Sequence, residues 1–246
     1  MLFIGDISDG SIKVIKKINI IKIPTFVILG NHDRGKDSSG ETLLKQIRVL
    51  GEKYCAWELR IFNNQVNILS GRPCSSGGGY YLSKEVKAVY GPISEEDSVR
   101  KIINASKEIL KDLPLIIMSH TGPSGLGSEP SSICGKDWKL PSLDWGDRDL
   151  SVAISSIQKK RFIDLVVFGH MHNSLRRNLG FRQMFKFDNK GTAYLNAAVV
   201  PRYKTNEDGK LFINFSWVEF EEKKLKHVSH RWYSETGELY EEEKFF

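Results

Sequence analysis

The sequence predicts an α/β protein, because short apolar runs alternate with amphipathic helical patterns along its first two thirds. The runs at 2–5, 25–30, 113–120 and 163–170 are rich in β-branched and other large apolar residues, which is typical of buried strands. From residue 181 onward the pattern becomes almost entirely strand-like. These later strands suggest a second sheet that packs against the first.

Helices are predicted between the apolar runs, where hydrophobic residues recur at helical spacing. Asp9 and Ser11 offer N-cap oxygens to the first of them, and Ser94 and Asp97 resemble a capping box with Asp in place of Glu. The four predicted helices lie near 11–19, 41–51, 94–113 and 148–160.

The remaining segments carry strand and turn signals. Residues 58–91 predict several short strands, including GGGYYLS at 77–83 and VKAVYG at 86–91. The later strands are FRQMFKF, TAYLNAA, KLFINFSWVEF and LKHVSHRWY. The last residues, ELYEEEKFF, predict a charged tail.

Composition indicates a single ordered domain over residues 1–246, since 40% of the residues are hydrophobic and 27% are charged. We expect a cytoplasmic protein with no membrane partner, because no apolar run is long enough to span a bilayer and no signal peptide is evident. Its three cysteines have no framework spacing. The net charge of +6 favours an ordinary solvated surface. A nucleic-acid-binding protein is an alternative that rests on charge alone, and it predicts salt-dependent binding without metal.

Polar residues of one chemical kind follow four of the apolar runs. They are Asp6 in GD, Asn31 with its neighbours in GNHD, His120 in SH, and His170 with His172 in GHMH. In open α/β sheets the carboxyl ends of strands converge on a ligand. Each motif alone is more often a turn or a structural histidine. Together, a carboxylate, a carboxamide and three imidazoles predict a metal site, with Mn, Fe or Zn as the favoured ions.

These motifs resemble the calcineurin-like metallophosphoesterase superfamily. Its pattern is Asp-x-His, Gly-Asp, Gly-Asn-His-Asp/Glu, a lone His and Gly-His-x-His, and the last four occur here in that order. The resemblance covers residues 1 to about 200. It implies a four-layer α/β sandwich of two mixed sheets flanked by helices, and metal-dependent phosphoester hydrolysis. The stretch at 122–138 further resembles a branch with cyanobacterial and plastid members.

The family's first motif, Asp-x-His, is absent, and Met1 falls inside the Gly-Asp strand. We therefore expect a chain that lacks the family's first strand–helix unit. Such a chain would have an unpaired strand edge, weak or single-metal binding and reduced turnover.

The resemblance also implies a role for each metal-site residue. The family binds two divalent metals, and Asp6 would bridge them. Asn31, His120 and His170 would complete one site, which is intact in this sequence. The other site would keep only Asp6 and His172.

The remaining implied roles concern catalysis and substrate. His32 would protonate the leaving alkoxide, with Asp33 orienting its ring. Arg34 either holds a substrate phosphate or is simply solvated. The Gly/Pro/Ser-rich loop at 121–147 is expected to lie over the metals and shape the pocket. The alternative from another class is a catalytically inactive relative that acts as a metal-binding or protein-interaction module. The substrate and the oligomeric state stay open.

Overall fold

The computed structural model describes residues 1–246, apart from the side chain of Asn178. Within that part the chain forms twelve strands and five α-helices. The helices are α1 Ile12–Asn19, α2 Glu41–Leu50, α3 Lys84–Tyr90, α4 Glu95–Ser106 and α5 Arg148–Ile157. The strands are β1 Leu2–Ile4, β2 Phe26–Ile28, β3 Leu59–Phe62, β4 Val66–Ser70, β5 Leu115–Met118, β6 Leu165–Phe168, β7 Phe185–Phe187, β8 Ala193–Asn196, β9 Tyr203–Thr205, β10 Leu211–Glu221, β11 Lys224–Ser234 and β12 Leu239–Lys244.

The largest sheet has six strands in the order β3-β4-β5-β6-β8-β7. Its four central strands are parallel, and β3 and β7 close the two edges in the antiparallel sense. Alternate residues of each strand enter different cores. Ile117 of β5 faces the core that holds Ile102 of α4 and Ile154 of α5, whereas Met118 faces the opposite core.

A second layer of strands covers the other face of this sheet. The parallel pair β1-β2 contributes Ile4 and Ile28 to the core between the layers, and β10 and β11 add Val218 and Val228. The neighbouring residue Val27 points the other way, into the core with α1 and α2. The order helices, strands, strands, helices confirms the predicted four-layer sandwich. The second strand layer consists of β1-β2 and the antiparallel sheet β12-β11-β10-β9.

Three local predictions about helices are corrected. The predicted strand at 86–91 is helix α3, because Ser83 caps it by accepting a bond from Val86 N at 3.3 Å. Asp9 does not cap α1, whose N-cap is Ser11 without a side-chain bond. Helix α4 ends at Ser106, well before residue 113. The capping box of Ser94 and Asp97 is confirmed.

The C-terminal residues are a strand and not a charged tail. Strand β12 pairs antiparallel with β11, and Arg231 donates from Nε to Oε1 of Glu242 at 2.6 Å. Phe245 then stacks on Phe185 of the six-stranded sheet, with ring centroids 5.6 Å apart. Every residue of β12 is exposed, so the strand lacks the apolar alternation that would have predicted it.

The helices of the described chain are too short or too polar for a membrane span.

Candidate metal centre

The carboxyl ends of β1, β2, β5 and β6 meet at one edge of the layered sheets. They bring Asp6, Asn31, His120 and His170 together. His120 lies at the centre, since its Nε2 is 3.0 Å from Asn31 Oδ1, 3.3 Å from Asp6 Oδ2 and 3.2 Å from His170 Nδ1. The four predicted ligands of one metal site are therefore in contact.

The buried ring of His120 is held by the main chain of β1. Its Nδ1 lies 2.8 Å from the carbonyl oxygen of Ile4, and the residue is 1% exposed. A carbonyl can only accept, so Nδ1 carries the proton and Nε2 of the neutral ring presents a lone pair. Nε2 then faces a carboxylate oxygen and an amide oxygen. Burial acts to lower the pKa of His120, but the Asp6 carboxylate outweighs it and raises that pKa, so Nε2 can hold either a proton or a cation among these acceptors.

The pKa shifts of His170 and Asp6 also fit a cation site. Burial lowers the pKa of His170 to about 3, and the neighbouring His120 adds to this, so His170 is neutral at physiological pH. Burial acts to raise the pKa of Asp6, but the nearby His120 ring and several hydrogen bonds outweigh it and hold that pKa well below its usual range. A neutral imidazole and an ionised carboxylate are the forms that bind metal.

Two glycines permit this close approach. Gly5 has φ +91°, and a Cβ there would overlap Nδ1 of His120. A Cβ on Gly30 would overlap the carboxylate of Asp6. The glycine in each of the GD and GNHD motifs therefore gives space to a candidate metal ligand.

His172 stands apart from this cluster. In the described part of the chain, the group whose ligand atoms all lie within 4.8 Å of one another consists of Asp6, His120 and His170. His172 is exposed and lines a cavity of about 260 Å³ next to Asp6. Burial lowers the pKa of His172 too, so its ring is neutral.

His32 also lines this cavity, and its backbone N–H donates to Oδ1 of Asp6 at 2.9 Å. The prediction that Asp33 orients the His32 ring is wrong, because the Asp33 carboxylate binds donors elsewhere. Asp9 is the carboxylate near that ring, with Oδ1 3.5 Å from Nδ1 of His32.

Asp33 is fully buried, and its carboxylate accepts bonds from Ser8 N, Ser8 Oγ, Ile7 N and Gly30 N at 2.7 to 2.9 Å. Both oxygens are used in this way, because a buried carboxylate needs donors on each of them.

Arg34 lies beside Glu85 of α3, with Nε 3.4 Å from Oε2. The arginine that lines the cavity is Arg202, which follows β8. Sequence reasoning missed it, and its signal was only a basic residue in VVPRY after a predicted strand. The role predicted for Arg34 stays a prediction.

The loop at 121–147 does not border the cavity, whose described lining comes from 4–9, 32, 169–172 and 198–202. It packs instead against the GHMH segment. Arg182 donates to the carbonyls of Pro130, Ser132 and Gly135 from Nη1, and to that of His172 from Nε.

The family model described as calcineurin-like phosphoesterase matches residues 1–174. The chain belongs to the calcineurin-like phosphoesterase family. The narrower cyanobacterial and plastid branch stays a prediction. No curated protein matches this chain.

Two solved structures are similar to the chain, and one of them supports a shared fold. The crystal structure of TT1561 of Thermus thermophilus is 12% identical, covers 92% of this chain and 83% of its own, and has a TM-score of 0.51. Another crystal structure is 13% identical, covers 95% of this chain and 70% of its own, and has a TM-score of 0.49. At these identities the likeness of TT1561 concerns the fold alone, and the second likeness is too weak to add to it.

Proposed function

We propose that this calcineurin-like phosphoesterase is a metal-dependent phosphoester hydrolase. The observation that carries the proposal is the convergence of acceptor atoms from Asp6, Asn31, His120 and His170 at one point, with His120 Nδ1 bound to a carbonyl. A bound divalent ion, which we expect to be Mn, Fe or Zn, would supply an activated water and neutralise phosphoryl charge there.

The protein's own groups would do the remaining work. His32 is 63% exposed and lines the cavity, so it is open to a substrate and would donate a proton to the leaving oxygen. Asp9, 3.5 Å from Nδ1 of His32, would keep that nitrogen protonated and turn Nε2 toward the substrate. Asp33 would act on the geometry, by tying the Asp6 and Asn31 turns together.

We propose one firmly held ion at the Asp6, Asn31, His120 and His170 site. A second ion near Asp6 and His172 would take those two of the ligands that the family resemblance implies, in a cavity that Asp9 and His32 also line, and we expect it to bind more weakly. Two divalent metals are what the family resemblance implies, and metal titration would give the number. We also propose a cytoplasmic location, supported by three buried, unpaired cysteines.

The test is hydrolysis of p-nitrophenyl phosphate and of bis(p-nitrophenyl) phosphate by the purified chain, with and without Mn²⁺ and EDTA. We expect turnover that needs Mn²⁺. His120→Ala should lose both Mn²⁺ binding in calorimetry and turnover, whereas His32→Ala should keep Mn²⁺ binding and lose turnover. His227→Ala is the matched control, because His227 lies on β11 outside the site.

Mn²⁺ binding without turnover on either substrate would favour the inactive metal-binding relative instead. Absence of Mn²⁺ binding would overturn the proposal altogether. Salt-dependent binding of nucleic acid by the metal-free chain would favour the alternative that rests on the charge of +6.

A further inference from the structure

The cavity beside the candidate metal ligands is lined in part by residues that the proposed function does not use. Besides Asp6, His170 and His172, its lining includes Val200 and Arg202 from the segment after β8. Its volume of about 260 Å³ is below the roughly 300–1,000 Å³ of pockets that enclose drug-sized ligands. A group bound at the metal ligands would therefore lie close to Arg202.

Arg202 is held in place by the framework of the site. Its carbonyl accepts from Asn214 N of β10 at 2.9 Å, and its Nη2 donates to Ala197 O at 2.7 Å. Asn173, next to the GHMH motif, is bonded on both sides to the same segment. Its N–H donates to Ala198 O at 3.0 Å, and its Oδ1 accepts from Val200 N at 3.0 Å. The guanidinium is thus positioned together with the histidines.

Arg202 also lacks a counter-charge. Arg34, Arg72 and Arg182 each have a carboxylate within 4.0 Å, but among the described side chains none lies that close to Arg202. Although residue 202 is exposed by area, protein atoms around the guanidinium desolvate it enough to lower its pKa. A guanidinium with one carbonyl partner leaves several N–H donors for a ligand, and the residue that carries them lines the cavity.

A phosphate monoester fits these donors best. It carries nearly two negative charges and three free oxygens, and the planar guanidinium matches phosphate oxygens in a bidentate manner. A phosphodiester carries one fewer negative charge and has one fewer free oxygen that could accept from these donors. We propose that Arg202 binds phosphoryl oxygens of the substrate and makes the site selective for phosphomonoesters over phosphodiesters, an inference that rests on the proposed hydrolase function.

The test measures binding of inorganic phosphate by calorimetry, with and without Mn²⁺, in the wild type, Arg202→Gln and Arg202→Lys. Gln keeps a polar side chain with hydrogen-bond donors but removes the charge. We expect Arg202→Gln to weaken phosphate binding by about tenfold to a hundredfold, as for loss of a charged hydrogen bond. Lys should restore part of the affinity as a point charge. Arg148→Met, on the exposed start of α5, is the control and should match the wild type.

Kinetics give a second readout. The ratio of kcat/KM for p-nitrophenyl phosphate to that for bis(p-nitrophenyl) phosphate should fall in Arg202→Gln, while Mn²⁺ affinity stays unchanged. If Arg202→Gln binds phosphate within twofold of the wild-type affinity, the inference is overturned, while the proposed Mn²⁺-dependent hydrolysis is unaffected. Loss of affinity in Arg34→Met but not in Arg202→Gln would overturn it in favour of Arg34. If phosphate binding depends on Arg202 but the wild type shows no turnover, the phosphate-binding role of Arg202 is supported and the proposed hydrolase function is refuted.

Discussion

At the scale of residues, the carboxylate of Asp33 joins the two turns that carry the candidate ligands Asp6 and Asn31. It accepts from the backbone of Ile7 and Ser8, just after Asp6, and from Gly30, just before Asn31. A positioning role of this kind acts on the metal site through the backbone, and it does not need the His32 ring.

Asp33→Asn tests this role. The amide NH₂ of Asn would face backbone N–H groups that now donate to a carboxylate oxygen of Asp33, so donor would meet donor. We therefore expect a loss of about 3 kcal/mol in the free energy of unfolding, together with weaker Mn²⁺ binding. Urea denaturation and calorimetry measure the two effects. Asp112→Asn, at an exposed position, should change stability by less than about 0.5 kcal/mol. Unchanged stability with lower kcat in Asp33→Asn would instead restore the predicted action through His32.

A second buried carboxylate predicts a pH dependence of stability. Asp147 lies 2.8 Å from Arg72, which also pairs with Asp149 at 3.0 Å. Burial raises the pKa of Asp147 to about 7 in spite of the Arg72 charge, and Asp149 adds to the rise.

The folded state therefore binds a proton that the unfolded chain, with an Asp pKa of about 3.9, gives up. This contribution is complete below pH of about 4 and is lost as pH rises to about 7. In metal-free protein, the free energy of unfolding of the wild type relative to Asp147→Asn should decline by up to about 1.4 kcal/mol per pH unit across that window. Urea midpoints at successive pH values measure it, and a flat difference would contradict the assignment.

At the scale of elements, the long loop after β5 is a packed structure that one side chain anchors. Arg182 is 4% exposed, and its guanidinium reaches three carbonyls of the loop, one carbonyl of the GHMH segment and, at 3.4 Å, the carboxylate of Asp137. The loop thus braces the segment that carries His170 and His172 without bordering the cavity.

Arg182→Met should release this loop, because one buried and three partly buried carbonyls would lose a charged donor. We expect a stability loss of at least about 2 kcal/mol and faster proteolysis within 121–147, measured by urea denaturation and peptide mapping. Arg177→Met changes an exposed arginine nearby and should leave both unchanged. Unaltered proteolysis in Arg182→Met would show that the loop holds itself together.

At the scale of the whole molecule, the second strand layer is completed by the C-terminal residues. The sheet β12-β11-β10-β9 lies over the six-stranded sheet, and Phe245 closes the contact by stacking on Phe185. A chain shortened to residue 237 should lose β12 and this stacking. We expect a lower thermal midpoint and self-association in size-exclusion chromatography, because β11 would gain a free edge. Glu235→Ala, in the exposed turn before β12, should leave both unchanged, and a shortened chain with the original midpoint would mean that β12 is dispensable.

The sequence by itself determined the α/β class, the strand ends and the candidate metal ligands. Those features are local, since apolar runs mark buried strands and the residues just after them must lie at the sheet edge. Asp6, Asn31, His120 and His170 could be named for that reason, and the structure brings them together. Helix α3 was missed because Val86 and Val89 in VKAVYG favour a strand locally, whereas in the fold Ser83 caps a helix that buries them beside α2.

Only the tertiary structure decided which partner each polar group takes. The carboxylate of Asp33 binds backbone N–H groups and not the His32 ring, and Arg34 lies beside Glu85. Arg202 lines the same cavity as His32, although it lies about 170 residues farther along the chain. Strand β12 was likewise decided by pairing with β11, since its own residues are all exposed. Buried charges and hydrogen bonds are satisfied by whatever the folded chain places next to them, and sequence spacing does not carry that information.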